Sequence, residues 1–184
     1  MTTPAPSHVP VLAGPIQDAA RGVHRAVDAT LGHGGHAELL VAAGAVVLGV
    51  DRDPEALAIA RAHLAGAPVT FLAGSFGDAL VHRAVEEFGP DLILLDLGVS
   101  SRQLDDDPRG FTFRPGAPLD MRMDGAGATA ADLLNEASEP ELAAVFRDFG
   151  DERRARGLAR EVVRRRARAP FAVSDDLVNA IRAV

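Results

Sequence analysis

The chain of 184 residues has no cysteine, no tryptophan, no tyrosine and no lysine. Without cysteine it can form no disulfide, no thiolate zinc site, no iron–sulfur cluster and no thiol nucleophile, which fits a reducing compartment. Without Trp and Tyr, stacking on a flat ligand falls to eight Phe or to His and Arg. All 19 basic residues are Arg, which together with abundant Ala reads as GC-biased coding. No apolar run approaches the ~20 residues of a membrane span. Residues 1–15 lack the basic start and apolar stretch of a secretory signal. The expectation is a soluble, cytoplasmic protein without membrane association. A net charge of -7 argues against indiscriminate nucleic-acid binding.

What is present is an ordinary globular composition, 47% hydrophobic and 24% charged, at a length that suits one domain with a small appendage. The first half alternates strand-like and helix-like segments. Strands are expected within residues 23–30, over 45–50, over 69–72 and over 91–97, the second and fourth as continuous apolar runs of the buried type. Helices are expected over 36–43, from Asp53-Pro54-Glu55 onward and over 80–88, with Asp53 as N-cap and Pro54 at the first helical position. Repeated strand–helix units of this kind predict an α/β fold with a parallel sheet covered by helices and a ligand crevice at the C-terminal strand ends. Residues 98–124 are rich in Gly, Pro and Asp without clear periodicity. Residues 128–184 read as helices only, starting at Thr129 or Ala130, at Ser138, at Asp151 and at Ser174-Asp175-Asp176.

Gly32-His33-Gly34-Gly35-His36-Ala37, between the first strand and the first helix, fits G-x-G-x-x-A. Glycines there let a cofactor approach the backbone, and the helix behind them offers free N–H groups. Asp51, nineteen positions after Gly32, ends the second strand, where a carboxylate can accept both hydroxyls of a ribose. A nicotinamide dinucleotide and S-adenosylmethionine share this geometry. Asp28, placed to face an ammonium-bearing tail, and Asp96, at the end of the fourth strand where a target amine would arrive, favour the second. Asp105, Asp106 and Asp107 suggest a metal cluster, but with no histidine at ligand spacing they read as a solvated turn. Between Arg153 and Arg168 lie eight Arg and one acid, Glu161. Arg153, Arg156, Arg160 and Arg164 recur at helical spacing opposite Leu158, Ala159, Val162 and Val163, which describes a solvated amphipathic helix or a phosphate-facing patch.

Three longer runs carry a resemblance. They are Asp28-Ala29-Thr30-Leu31-Gly32-His33-Gly34-Gly35-His36 with Gly49-Val50-Asp51-Arg52-Asp53-Pro54, the run from Leu94 through Asp96-Leu97-Gly98-Val99-Ser100-Ser101-Arg102-Gln103 to Asp105, and Arg109-Gly110-Phe111-Thr112-Phe113-Arg114 with Pro118-Leu119-Asp120-Met121-Arg122-Met123-Asp124. The chain resembles the RsmH/MraW family of ribosomal-RNA cytosine N4-methyltransferases from His8 to its end. His8-Val9-Pro10-Val11-Leu12 resembles the family's opening, and Phe149-Gly150-Asp151-Glu152-Arg153 part of its helical insert.

The resemblance implies a Rossmann-like S-adenosylmethionine-dependent methyltransferase fold. A cofactor-binding part would occupy residues 1–108 and an α-helical substrate-recognition insert residues 109–184. It implies methylation of the exocyclic amine of one cytidine in small-subunit ribosomal RNA, within the assembled small subunit, by a protein that can form a homodimer. The cofactor residues it implies are Gly34, Gly35, His36, Asp51, Phe76, Asp96 and Gln103. Phe76 would flank the adenine, and Asp96 and Gln103 would close the methionine end. The resemblance names no catalytic residue; on chemical grounds Asp96, with Asp120 as second choice, is the expected acceptor for an N4 proton. Two departures stand out. Arg102 occupies a usual Pro position, and family members continue well past residue 184, through further sheet strands and a Phe-His-Ser segment. With four strands in the order 3-2-1-4, the fourth is expected to be an open edge with an uncovered apolar face. A cofactor-binding module without transfer activity and a nicotinamide oxidoreductase domain are the alternatives.

Overall fold

The computed structural model describes residues 10–184, apart from the side chains of Ser101 and Arg102. His8, Val9 and the Arg102 side chain therefore lie outside the described residues. The chain forms two compact units, Met1–Gly98 and Val99–Val184.

The first unit is a parallel sheet of β1 (Arg25–Asp28), β2 (Val46–Asp51), β3 (Val69–Ala73) and β4 (Leu92–Leu94) in the order β3-β2-β1-β4. The order matches that read from the sequence. Its helices are α1 (Ala13–Ala19), α2 (Gly35–Ala42), α3 (Pro54–His63) and α4 (Ala79–Phe88). The period of two along a strand explains the layers. Ala26 and Val47 join Leu40, Leu57 and Ala60 in a core on one face. Val27, Leu48 and Val50 pack with Val81 of α4 on the other. β2 lies between two strands and is apolar up to its last residue, Asp51, with Val47 to Val50 all buried. Gly49 is required there, because an added Cβ would sit 2.8 Å from both methyl groups of Leu31. That contact seats the glycine turn after β1 directly on the sheet.

Two expectations change. α1 is an unanticipated helix. Gly14 and Pro15 disguise it, yet proline is tolerated in a first turn, where no amide donor is needed. β4 covers only Leu92–Leu94, not residues 91–97. It pairs with β1 alone, and its chain then leaves the ladder. This segment is not covered as a buried strand would be: Ile93 of β4 is 53% exposed and Leu97, beyond the strand, 69%, the open apolar edge that four strands imply.

In the second unit, the stretch without periodicity contains a short helix, α5 (Ser101–Asp105), and a 3-10 turn at Asp107–Arg109. Four helices follow: α6 (Ala130–Glu136), α7 (Glu139–Asp148), α8 (Ala155–Arg166) and α9 (Ser174–Ile181). Thr129 and Ser138 cap α6 and α7 through capping boxes with Asp132 and Glu141. α8 starts later than Asp151, which is left-handed at φ 49°; the turn is closed by Glu152 N–H donating to the Phe146 carbonyl at 3.0 Å. At α9 the cap is Asp176, whose Oδ2 accepts the N–H groups of Ala172 (2.9 Å) and Val173 (3.0 Å). Ser174 is instead the first helical residue, its hydroxyl donating to the Arg114 carbonyl. The core of this unit is Leu119, Leu134, Leu142, Leu158, Val162 and Phe171.

Candidate functional site

In an open parallel sheet the crevice opens at the C-terminal ends of the strands where the order reverses, here between β1 and β4. The loops leaving all four strands of the first unit meet at that end and are tied together. Leu31 N–H donates to the Val50 carbonyl at 2.9 Å, and Gly74 N–H to the Asp51 carbonyl at 2.9 Å. Asp96 N–H donates to the Thr30 hydroxyl at 2.7 Å.

The glycine turn after β1 has a fixed shape. Gly34 is the N-cap of α2 at φ 89°, a left-handed conformation that glycine adopts without penalty. A Cβ there would also come within 2.7 Å of Leu64 Cδ1. Among the described residues no side chain caps α2, so its first N–H groups point to the positive end of the helix dipole. Asp51 closes this turn. Its Oδ2 accepts the Gly32 N–H at 2.7 Å and its Oδ1 the Asp53 N–H at 2.9 Å. Each oxygen keeps a second lone pair, so the carboxylate can still accept two further hydroxyls.

Asp28 is fully buried at the end of β1. Its Oδ1 accepts the Thr30 N–H at 3.2 Å, while Oδ2 has no hydrogen-bond partner among the described residues. Burial pushes its carboxyl up to about 6, against the opposing pull of the Thr30 N–H and of His36, with Asp51 and Asp96 adding repulsion. A buried, half-satisfied carboxylate is costly by itself. It suits a site completed by a cationic group.

His36, on the first turn of α2, is nearly buried. Its Nε2 lies 2.8 Å from the Val11 carbonyl. A carbonyl only accepts, so Nε2 carries a proton and Nδ1 is the nitrogen that faces Asp96 Oδ2, at 3.7 Å. Asp96 is thus held through its backbone by Thr30 and flanked by an imidazole, while its side chain is 53% exposed to the crevice. Phe76, after β3, is 46% exposed and so is not a core residue; its carbonyl accepts from His82 Nε2 at 2.7 Å.

Six of the seven residues named from the sequence therefore lie on the loops and the helix start at one end of the first unit. The seventh, Gln103, belongs to the second unit, where its Oε1 accepts the Ser100 N–H at 2.9 Å and its own N–H donates to the Ser100 hydroxyl. Thr30 was missed as a positioning residue. The only signal was its place two residues after Asp28, since its partner is 66 positions away. Asp105 and Asp107 are held by Arg114 at 2.9 Å each, and no acid–histidine group able to hold a metal occurs among the described residues. Asp120 is gripped by both ends of the Arg122 guanidinium, at 3.0 and 2.7 Å, which holds its carboxyl below the usual range. Among the described residues no helix is long and apolar enough to cross a membrane.

The model of the MraW methylase family matches residues 6–184. Three curated relatives bear the name ribosomal RNA small subunit methyltransferase H. That of Gemmatimonas aurantiaca is 51% identical over 96% of this chain and 58% of its own length. That of Deinococcus radiodurans is 46% identical over 97% of the chain and 58% of its own length. That of Methylobacterium sp. strain 4-46 is 44% identical over 96% of the chain and 55% of its own length. The chain thus spans a little over half the length of these relatives.

Proposed function

Because the chain belongs to the MraW methylase family, with the α/β fold of a Rossmann-like methyltransferase, we propose that it binds S-adenosylmethionine at the sheet end described above. It then serves N4-methylation of a cytidine in small-subunit ribosomal RNA. The observation that carries this reading is the Gly32–Asp51 bond beside the buried, half-satisfied Asp28. Together they offer acceptors for a ribose and a counter-charge for an ammonium.

S-adenosylmethionine, when bound, supplies an activated methyl group. The protein's part is mostly positioning. Gly34 and Gly35 shape the tight turn into α2 that presents the helix N-terminus, Asp51 accepts from the ribose, and the exposed Phe76 ring flanks the adenine. The uncapped N–H groups of α2 face whatever fills the turn.

Cytosine N4 is a weak nucleophile because its lone pair is delocalised into the ring. Asp96 is the acceptor that draws off an N4 proton. Its backbone is fixed by Thr30, its carboxylate is open, and His36 Nδ1 stands behind it. Asp120 is the poorer acceptor, since both its oxygens already serve Arg122. The target base must be drawn out of its stack, at a cost of a few kcal/mol.

The experiment is Asp96→Asn. We expect methyl transfer to small ribosomal subunits, measured at saturating S-adenosylmethionine, to fall by about 10²-fold or more, as for loss of a general base, a loss larger than any change in calorimetric affinity for S-adenosylmethionine. Intact transfer would remove Asp96 from this role. Failure of the wild-type chain to bind S-adenosylmethionine would remove the whole reading.

A further inference from the structure

The arginines between Arg153 and Arg168 form one sequence cluster, but the structure divides them. Arg166 is structural. Its Nη1 donates to the carbonyls of Leu134 (2.9 Å) and Ala137 (2.7 Å), which end α6. Arg164 and Arg165 share the single carboxylate of Glu161, both reaching its Oε1 at 2.6 Å, and hold that carboxyl down to about 2. One surplus positive charge remains on the trio. Arg160 is only loosely paired, 3.9 Å from Glu139 of α7. Arg156 and Arg168 have no ion-pair partner among the described residues.

The geometry orders these charges. Ala155, Leu158, Ala159 and Val162 of α8 face the core. Arg156, Arg160 and Arg164 therefore share the outward face at four-residue steps, about 6 Å apart along the axis. The stripe runs into a surface pocket of about 370 Å³ lined by Arg164, Arg165, Arg168, Phe171, Asp176 and Asn179. The acid in that pocket is already committed, because Asp176 Oδ2 holds two backbone N–H groups at the start of α9. In a protein of net charge -7, this face keeps an excess of fork-shaped cationic donors, suited to phosphate oxygens.

We propose that the Arg156–Arg160–Arg164 stripe and the pocket beside Arg168 form the contact for the ribose–phosphate backbone of an RNA strand. The choice of RNA rests on the methyltransferase reading above, whereas the charge arrangement does not. The contact is sequence-independent: it holds the strand by its backbone and does not read its bases.

The test is the salt dependence of binding to a fluorescein-labelled single-stranded RNA of about 20 nucleotides with small-subunit ribosomal sequence, read by anisotropy without S-adenosylmethionine. Each phosphate contact in a single strand contributes about 0.7 to the slope of log K against log salt. The triple variant R156Q/R160Q/R168Q should flatten the slope by about 2, and R168Q alone by about 0.7. The lysine triple R156K/R160K/R168K should keep the slope. Arg147→Gln, which removes an exposed arginine already paired with Asp148, should leave it unchanged. An unchanged slope in the glutamine triple, an equal loss in Arg147→Gln, or no RNA binding by the wild-type chain at low salt overturns the proposal. Methyl transfer is a separate readout, so loss of activity with an arginine-dependent slope intact would sink the enzymatic reading and spare this one.

Discussion

Asp28→Asn should make the protein more stable at high pH and not at low pH. The Asp28 carboxyl is raised from 3.8 to about 6 by burial. An acid raised in the folded state binds its proton more tightly there than in the unfolded chain. Stability is therefore lost as pH rises between the two values, and the loss is complete above the folded value. At about 1.36 kcal/mol per unit, the cost of ionising Asp28 approaches 3 kcal/mol above pH 7. At about pH 4.5 it is near 1 kcal/mol. Asparagine carries no such charge. It keeps an oxygen for the Thr30 N–H but places an amide where Oδ2 has no partner, a penalty of about 1–3 kcal/mol that does not vary with pH. The difference in stability between Asp28→Asn and wild type should thus shift by about 2 kcal/mol in favour of Asn from pH 4.5 to 8. That shift is independent of the amide penalty. With no Trp or Tyr for fluorescence, hydrogen exchange of the β1 and β2 peptides, corrected for intrinsic rates, reads the unit that contains Asp28. A difference that stays flat with pH would refute the account of Asp28 as a buried charge without a partner.

Gly34→Ala forces a side chain to φ 89° against Leu64; it should cost about 1–3 kcal/mol in thermal unfolding and weaken S-adenosylmethionine binding measured by calorimetry. Arg166→Gln strips the last carbonyls of α6 of their cap; it should destabilise the helical unit by about 2 kcal/mol in urea unfolding followed by circular dichroism. Arg164→Gln, an exposed residue on the same helix, should change that midpoint far less. Equal effects of these two substitutions would show that the division of the arginine cluster is wrong.

The parts of this protein legible in its sequence are those decided by neighbours in the chain. Asp53 and Pro54 announce α3, Ser138 and Glu141 announce α7, and continuous apolar runs announce the inner strands, because capping and two-sided burial leave local marks. The strand order followed from topology rules that need only the alternation of elements. What escaped depends on partners far along the chain. β4 stops at Leu94, where its partner β1 also ends at Asp28, a limit that no local pattern in 91–97 encodes. Asp151 failed as a helix start because the turn before α8 closes on Phe146. The site shows the same division. The glycines and Asp51 were visible as a motif, but the Gly32–Asp51 and Thr30–Asp96 bonds that give it rigidity span 19 and 66 positions. In the arginine cluster sequence alone was least informative. Six of its eight chemically identical side chains became a cap, a shared ion pair and an outward-facing stripe only through the positions of Leu134, Ala137, Glu161 and Glu139, and charge counting gives every one of them the same weight.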